Sequence, residues 1–185
     1  MSELKKVNNA LFVPTLNIGA NKLKQIAWYF TNAIFFKSSI NPSSAIKVFL
    51  LKLFGAKIGT NVNIKPSINI KYPWKLTIGN NTWIGEEVWI DNLANITIGN
   101  NVCISQGALL LTGNHNFKKE TFDLIVSEII IEDGVWIGAK SIVCPGAICR
   151  THSILTVGST ATKELTAYGI YKGNPAIKVS ERIIQ

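Results

Sequence analysis

The chain has two histidines, His115 and His152, three cysteines and eleven acids among its 185 residues. His115 stands where chemistry is most readily placed. It lies in Thr112-Gly113-Asn114-His115-Asn116-Phe117-Lys118-Lys119-Glu120-Thr121-Phe122-Asp123-Leu124, a polar stretch that separates two apolar runs. A neutral imidazole can take a proton from a hydroxyl near neutral pH. A histidine in a loop is by itself more often a surface residue, but a long insertion into regular structure usually serves function. Asp123 and Glu128 are near enough in sequence to orient the ring, and the sequence does not choose between them. His152, in Arg150-Thr151-His152-Ser153, reads as an exposed corner residue. Cys103, Cys144 and Cys149 form no even framework. Cys149 falls on an inward position, where a small buried hydrophobe is favoured over a redox or metal role. No metal is expected.

The elements that must position His115 announce themselves by a repeat. Ile58-Gly59, Ile78-Gly79 and Ile98-Gly99 recur every twenty residues. Within each unit an apolar residue returns every six: Ile58, Ile64, Ile70; Ile78, Ile84, Ile90; Ile98, Ile104, Leu110. The beat resumes after the insertion at Ile131, Ile137, Val143, Cys149 and Leu155. Small or apolar residues follow four positions behind, among them Val62, Thr82, Val88, Ala94, Val102, Ala108, Val135, Ser141, Ala147, Ser153 and Ser159. Gly and Asn between them tolerate positive φ and suit corners. The spacing predicts short strands and corners, three strands per coil, stacked in parallel around a continuous core. Two-residue insertions near Tyr72-Pro73 and Ala94-Asn95 lengthen two coils. Ordinary hairpins impose no such strict spacing.

Charge divides the chain unevenly. Residues 1–57 hold eight lysines and one acid, Glu3, and so carry +7 of the net +8. The same segment is strongly apolar. Ile26-Ala27-Trp28-Tyr29-Phe30 and Ala33-Ile34-Phe35-Phe36 are expected on one helix, and Pro42-Ser43-Ser44 starts a second that ends near Gly55. Neither stretch reaches the ~20 residues needed to span a bilayer. Two roles fit: a cap on the open end of the solenoid, or an interfacial pair on an anionic membrane. They are not exclusive. No nucleic-acid-binding motif accompanies the basic residues, so nucleic acid is not an expected partner. The first residues, Met1-Ser2-Glu3-Leu4-Lys5-Lys6, do not read as a cleavable signal, and a cytoplasmic address is expected, with the inner face of the membrane as its finer form. The expected organisation is a basic apolar helical segment over 1–55, a β-helix over 56–165 with an inserted loop at 112–129, and a tail over 166–185.

The Ile-Gly hexads, with Gly134-Val135-Trp136-Ile137-Gly138, Val143-Cys144-Pro145-Gly146 and Gly173-Asn174-Pro175-Ala176, resemble the hexapeptide-repeat acyltransferases. That resemblance implies an all-β solenoid, a left-handed parallel β-helix; general crossover rules alone favour the right hand. The run from Phe49 to Gly59, followed by Tyr72-Pro73-Trp74-Lys75-Leu76-Thr77, is similar to the colanic acid biosynthesis acetyltransferases, sugar O-acetyltransferases of exopolysaccharide pathways. The resemblance implies acetyl-CoA as donor, a sugar or lipid-linked glycan as acceptor, and a homotrimer with each active site between two subunits. His115 matches the family's catalytic base, and backbone N–H groups would stabilise the oxyanion. Related carbonic anhydrases hold zinc with three histidines, and this chain has two.

For the donor, the resemblance carries over Ala139, Val157, Thr162 and Lys163. Lys163, Lys172, Lys178 and Arg182 form a basic group able to meet CoA phosphates. Ile177 and Ser180 stand where the family often has Lys or Arg, leaving Lys178 or Arg182 to substitute. Trp136 either covers the thioester end or packs beside Trp83. On the acceptor side Lys71, Gly85 and Leu93 replace polar residues of galactoside acetyltransferases, against a simple galactoside. Glu87, Asp91 and Asn92 are the polar candidates for sugar hydroxyls, and Trp83 and Trp89 either stack on a sugar or pack on the wall. Acyl transfer to an amino-sugar nitrogen uses the same base and donor. A non-catalytic scaffold is the reading from another class, but the flat Thr-x-Thr rows of an ice-binding ladder do not occur.

Overall fold

A computed structural model describes residues 5–185; residues 1–4, on which the reading of the N-terminus partly rests, lie outside the described residues. The chain winds into a left-handed parallel β-solenoid of about six turns. Its three walls are parallel sheets. The first stacks Lys57–Ile58, Leu76–Ile78, Ile96–Ile98, Ile129–Ile131 and Ile148–Cys149. The second stacks Asn63–Ile64, Trp83–Ile84, Cys103–Ile104, Trp136–Ile137 and Ile154–Leu155. The third stacks Asn69–Ile70, Trp89–Asp91, Leu109–Leu111, Ile142–Val143 and Thr160–Ala161. Strands of two or three residues accumulate little twist, and strand twist is what favours right-handed crossovers.

The registers place like residues in columns. Ile58, Ile78, Ile98, Ile131 and Cys149 align down the first wall, Ile64, Ile84, Ile104, Ile137 and Leu155 down the second. All are buried and form the continuous core. Burial pushes the Cys149 thiol up to about 12, in keeping with a packing role. The small residues fill the space between. Thr82 and Ser141 satisfy their buried hydroxyls on the carbonyls of Gly99 and Thr156. Ala94 is different: it is half-buried at a lengthened corner, where its N–H donates to Thr112 Oγ1.

The repeated Ile-Gly-Asn-Asn corner has a reason at each position. A Cβ on Gly79 would lie 2.6 Å from the backbone carbon of Gly99, so stacking requires a glycine there. The oxygen of the first Asn accepts from the coil below: Asn80 from Thr60 N–H, Asn100 from Asn80 N–H, and Asp133 from Asn100 N–H. The second Asn takes the left-handed conformation, with φ of 53°, 56° and 55° at Asn61, Asn81 and Asn101. His152 occupies this column too, at φ 58°. It is not the freely exposed corner the sequence suggests. Its ring stacks on Tyr168 at 5.0 Å and covers Gly134, because the adjoining coils leave a ring-sized gap there.

The ends are closed differently. Helix α1 (Lys22–Thr31), capped by Asn21, runs into a π-turn, Asn32–Phe36; helix α2 (Ser44–Leu53) is capped by Ser43. Trp28, Phe36 and Leu51 plug the core. The first coil has no neighbour below, and unpaired strand edges are costly. Trp28 Nε1 donates to the Ile70 carbonyl, Ser44 Oγ accepts from Ile64 N–H, and the buried Lys47 donates to the Asn41 and Ile64 carbonyls. At the far end residues 166–185 are built into the fold. Gly169–Gly173 extends the second wall and Ala176–Glu181 pairs back antiparallel. Arg182 ties this end down through the carbonyls of Gly134 and His152.

Candidate active site

Every lengthened corner lies on one edge, where the third wall turns into the first. The inserted residues there form an antiparallel arm, Gly113–His115 paired with Leu124–Val126, rather than an irregular loop. The arm is rooted by buried Thr112, whose N–H and hydroxyl both donate to the Asp91 carbonyl. His115 is half-buried on it. Its Nδ1 lies 2.8 Å from the Phe122 carbonyl. A carbonyl only accepts, so Nδ1 carries the hydrogen and Nε2 is the basic nitrogen. Phe122 also stacks its ring on the imidazole, 4.3 Å between centroids and 7° from parallel. Phe12 closes another side at 6.2 Å, and Asn8 N–H donates to the Glu120 carbonyl, so the N-terminal segment straps the arm.

Neither acid considered for orienting His115 does so. Asp123 pairs with Lys119 at 2.8 Å, and the Lys119 and Thr121 hydrogen bonds hold its carboxyl below the usual range. Glu128 accepts from Asn95 at 2.8 Å. Phe122 carries no signal in the sequence that marks it as the orienting residue. Its carbonyl direction follows from a turn with φ of 48° at Phe122 itself, which side-chain chemistry does not reveal.

The acceptor candidates separate. Asp91 lies at the root of the arm and is ion-paired with Lys71 at 2.9 Å. Asn92 is fully buried, and its amide is committed to the Tyr72 backbone, accepting from N–H at 2.9 Å and donating to the carbonyl at 2.6 Å. It is a corner brace with no side-chain atom free for a ligand. Glu87, at φ 59°, sits on the opposite edge of the third wall, in the corner column of Gly107, Lys140 and Gly158. Trp136 lies on the second wall in register with Cys103 and Trp83, and its Nε1 donates to Ser105 Oγ at 2.9 Å. Trp89 belongs to the third wall.

Two of the positions expected to meet the donor come together. Ala139 and Val157 stack on the edge between the second and third walls, where Gly158 N–H donates to the Ala139 carbonyl. Val157 is 71% exposed there. Thr162 and Lys163 are exposed just beyond Thr160–Ala161. Lys178 is set apart on the terminal strand, where its hydrogen bond to Glu181 raises its pKa. Within one chain the His115 arm and the Ala139–Val157 column occupy different edges. Among the described residues no three His, Cys, Asp and Glu side chains gather as a metal-binding group.

A left-handed β-helix interrupted by an arm that presents one oriented histidine has the build of a hexapeptide-repeat acyltransferase. No protein-family model matches the chain. Over 165 residues it is 38% identical to the putative colanic acid biosynthesis acetyltransferase WcaF of Escherichia coli (strain K12), covering 89% of this chain and 91% of that one. It is 27% identical to the galactoside O-acetyltransferase of the same organism, over 71% of this chain and 66% of that protein. Two solved structures share the fold. A hexapeptide-repeat-containing acetyltransferase from Vibrio cholerae has a TM-score of 0.76 at 23% identity, covering 86% of this chain and 90% of that one. A maltose O-acetyltransferase from Clostridium difficile has a TM-score of 0.78 at 20% identity, covering 87% and 89%. The chain belongs to the colanic acid biosynthesis acetyltransferases of the hexapeptide-repeat family, and it is an acetyltransferase.

Proposed function

We propose that the protein moves an acetyl group from acetyl-CoA to a hydroxyl of a sugar, free or carried on a lipid, during synthesis of an exopolysaccharide or other surface glycan. The observation that carries this reading is His115, whose Nδ1 is held by the Phe122 carbonyl, so that Nε2 is the basic nitrogen of the neutral ring. Acetyl-CoA supplies the activated acyl group. His115 Nε2 takes the proton of the sugar hydroxyl as its oxygen bonds to the thioester carbon, and returns that proton to the departing thiolate. Asp91 and Lys71, at the root of the arm, offer polar atoms to the acceptor. Exposed Val157, with Ala139 beneath it, offers the donor an open edge, and exposed Lys172 stands beside it for CoA phosphates, between Tyr171, which bonds Thr156, and Gly173, which bonds Ser159. Lys163 lies past the third wall, on the edge that carries the arm. In this reading the site is completed between subunits of a homotrimer, since base and donor edge lie apart within one chain. The names of the relatives favour oxygen as the acceptor atom. Acetyl-CoA is a cytoplasmic compound, so the reaction belongs in the cytoplasm.

The test is transfer of labelled acetyl from acetyl-CoA to a panel of saccharides, with the product treated with mild base. Saccharide-dependent release of CoA and a base-labile ester are expected. A base-stable amide, or CoA release unaffected by any saccharide, would overturn the reading.

A further inference from the structure

The outward face of the N-terminal cap has the wrong polarity for water. In α2 the inward residues are Lys47 and Leu51, both fully buried, while Ile46, Phe49 and Leu53 point outward. Phe49 is 65% exposed and Lys47 is 0% exposed. A helix facing water shows the reverse arrangement. The first helix repeats the pattern. Trp28 goes in, and Leu23, Ile26, Phe30 and, through the π-turn, Ile34 form an exposed stripe at three- and four-residue spacing. Ile40 stands out between the two helices.

Charge around these stripes has one sign. Residues 4–85 contain eleven lysines and no Asp or Glu. Lys22, Lys37, Lys52 and Lys57 are exposed, and among the described residues none of them is in an ion pair. Among the described residues no helix is long and apolar enough to cross a membrane. A second copy docked face to face would set this lysine field against itself with no acid in reach. An anionic lipid surface supplies both what the stripes and what the lysines need.

We infer that this outward face seats the protein on an anionic phospholipid bilayer. Leu23, Ile26, Phe30, Phe49 and Leu53 enter the interface and the lysines meet lipid phosphates. The polar groups that hold the cap to the first coil lie on the other side of the helices and are undisturbed. The His115 arm leaves the third coil, two strand spacings or roughly 10 Å above the first, and so faces the space just above the headgroups. The seat stands apart from the acetyl-transfer reading, because its measurement is partition and not turnover.

The experiment is flotation of the full chain with vesicles of phosphatidylglycerol and phosphatidylcholine, and with phosphatidylcholine alone, at low and high salt. Binding is expected to the anionic vesicles only, with release as ionic strength approaches about 1 M, where screening is nearly complete. The double variant Ile26→Asp, Phe49→Asp should lose at least about tenfold in partition while keeping its turnover with a soluble acceptor. Lys22→Glu with Lys52→Glu should lose about fivefold or more per site. If the apolar variant fails to fold, the lysine variant and the salt response of the wild type decide. No flotation at low salt, or equal flotation on phosphatidylcholine, would overturn the inference. So would assemblies in solution that Phe49→Asp disperses, since a second copy would then cover the face.

Discussion

At His115 the group that fixes the ring is a carbonyl and not a carboxylate. A carbonyl holds the Nδ1–H tautomer but offers no charge to the imidazolium that would form in the proposed transfer. The Phe122 ring adds a flat surface that limits rotation of the imidazole. Phe122 is thus a positioning residue. Phe122→Ala keeps the carbonyl and removes only the stacked ring, so it should lower kcat by about tenfold, the low end of the cost of losing orienting contacts, with the KM for acetyl-CoA little changed. Phe122→Tyr should restore it. A rise in KM with kcat intact would point to binding instead. Asp123→Asn and Glu128→Gln touch neither ring nitrogen, so each should stay within about twofold of wild-type kcat. A loss of two orders of magnitude in either would return the orienting role to that acid.

At the scale of the corner, three adjacent residues do three jobs. Gly79 gives room, Asn80 accepts a hydrogen bond and Asn81 adopts positive φ. Gly79→Ala should cost about 1–3 kcal/mol in urea unfolding, as overpacking does, whereas Asn81→Gly should be nearly neutral, because glycine accepts that conformation. A larger loss for Asn81→Gly would refute this division. In the same column Asp133 replaces Asn. The Asn100 N–H and amide hold its carboxyl below the usual range. A depressed carboxylate stabilises the fold above its unfolded pKa, and the contribution disappears as pH falls through the folded value. Asp133→Asn should therefore flatten the acid limb of stability, seen in melting curves between neutral and acid pH. The corner also shows what was legible in sequence. Inward residues every sixth position follow from local geometry, so the coil, the core columns and the edge of insertions could be read from spacing. The arm hairpin, the Phe122 carbonyl and the burial of Asn92 depend on contacts between separate coils, and residue types alone do not carry them. Trp83 and Trp89 look alike in sequence but stand on different walls, because the six-residue step between them crosses a corner.

Across the whole molecule, the second wall presents an aligned column of Trp83, Cys103 and Trp136, with Trp83 61% exposed. Contiguous exposed apolar surface commonly marks an interface, and a closed cyclic assembly would bring the arm of one subunit to the donor edge of the next. If the proposed trimer forms through this column, Trp83→Glu should yield a monomer by light scattering and abolish transfer. A dispersed chain that remains fully active would show the site to be complete in one subunit. The charge asymmetry belongs to this scale as well, since one end of the solenoid carries the basic cap and the other the terminal strand clamped by Arg182. The claim on which all of this turns is that His115 is the base. It is tested most directly by the single-turnover rate of acetyl transfer in His115→Ala protein shown to keep wild-type assembly and CoA affinity. A loss of about 10²–10⁴-fold is predicted; transfer at the wild-type rate would contradict it.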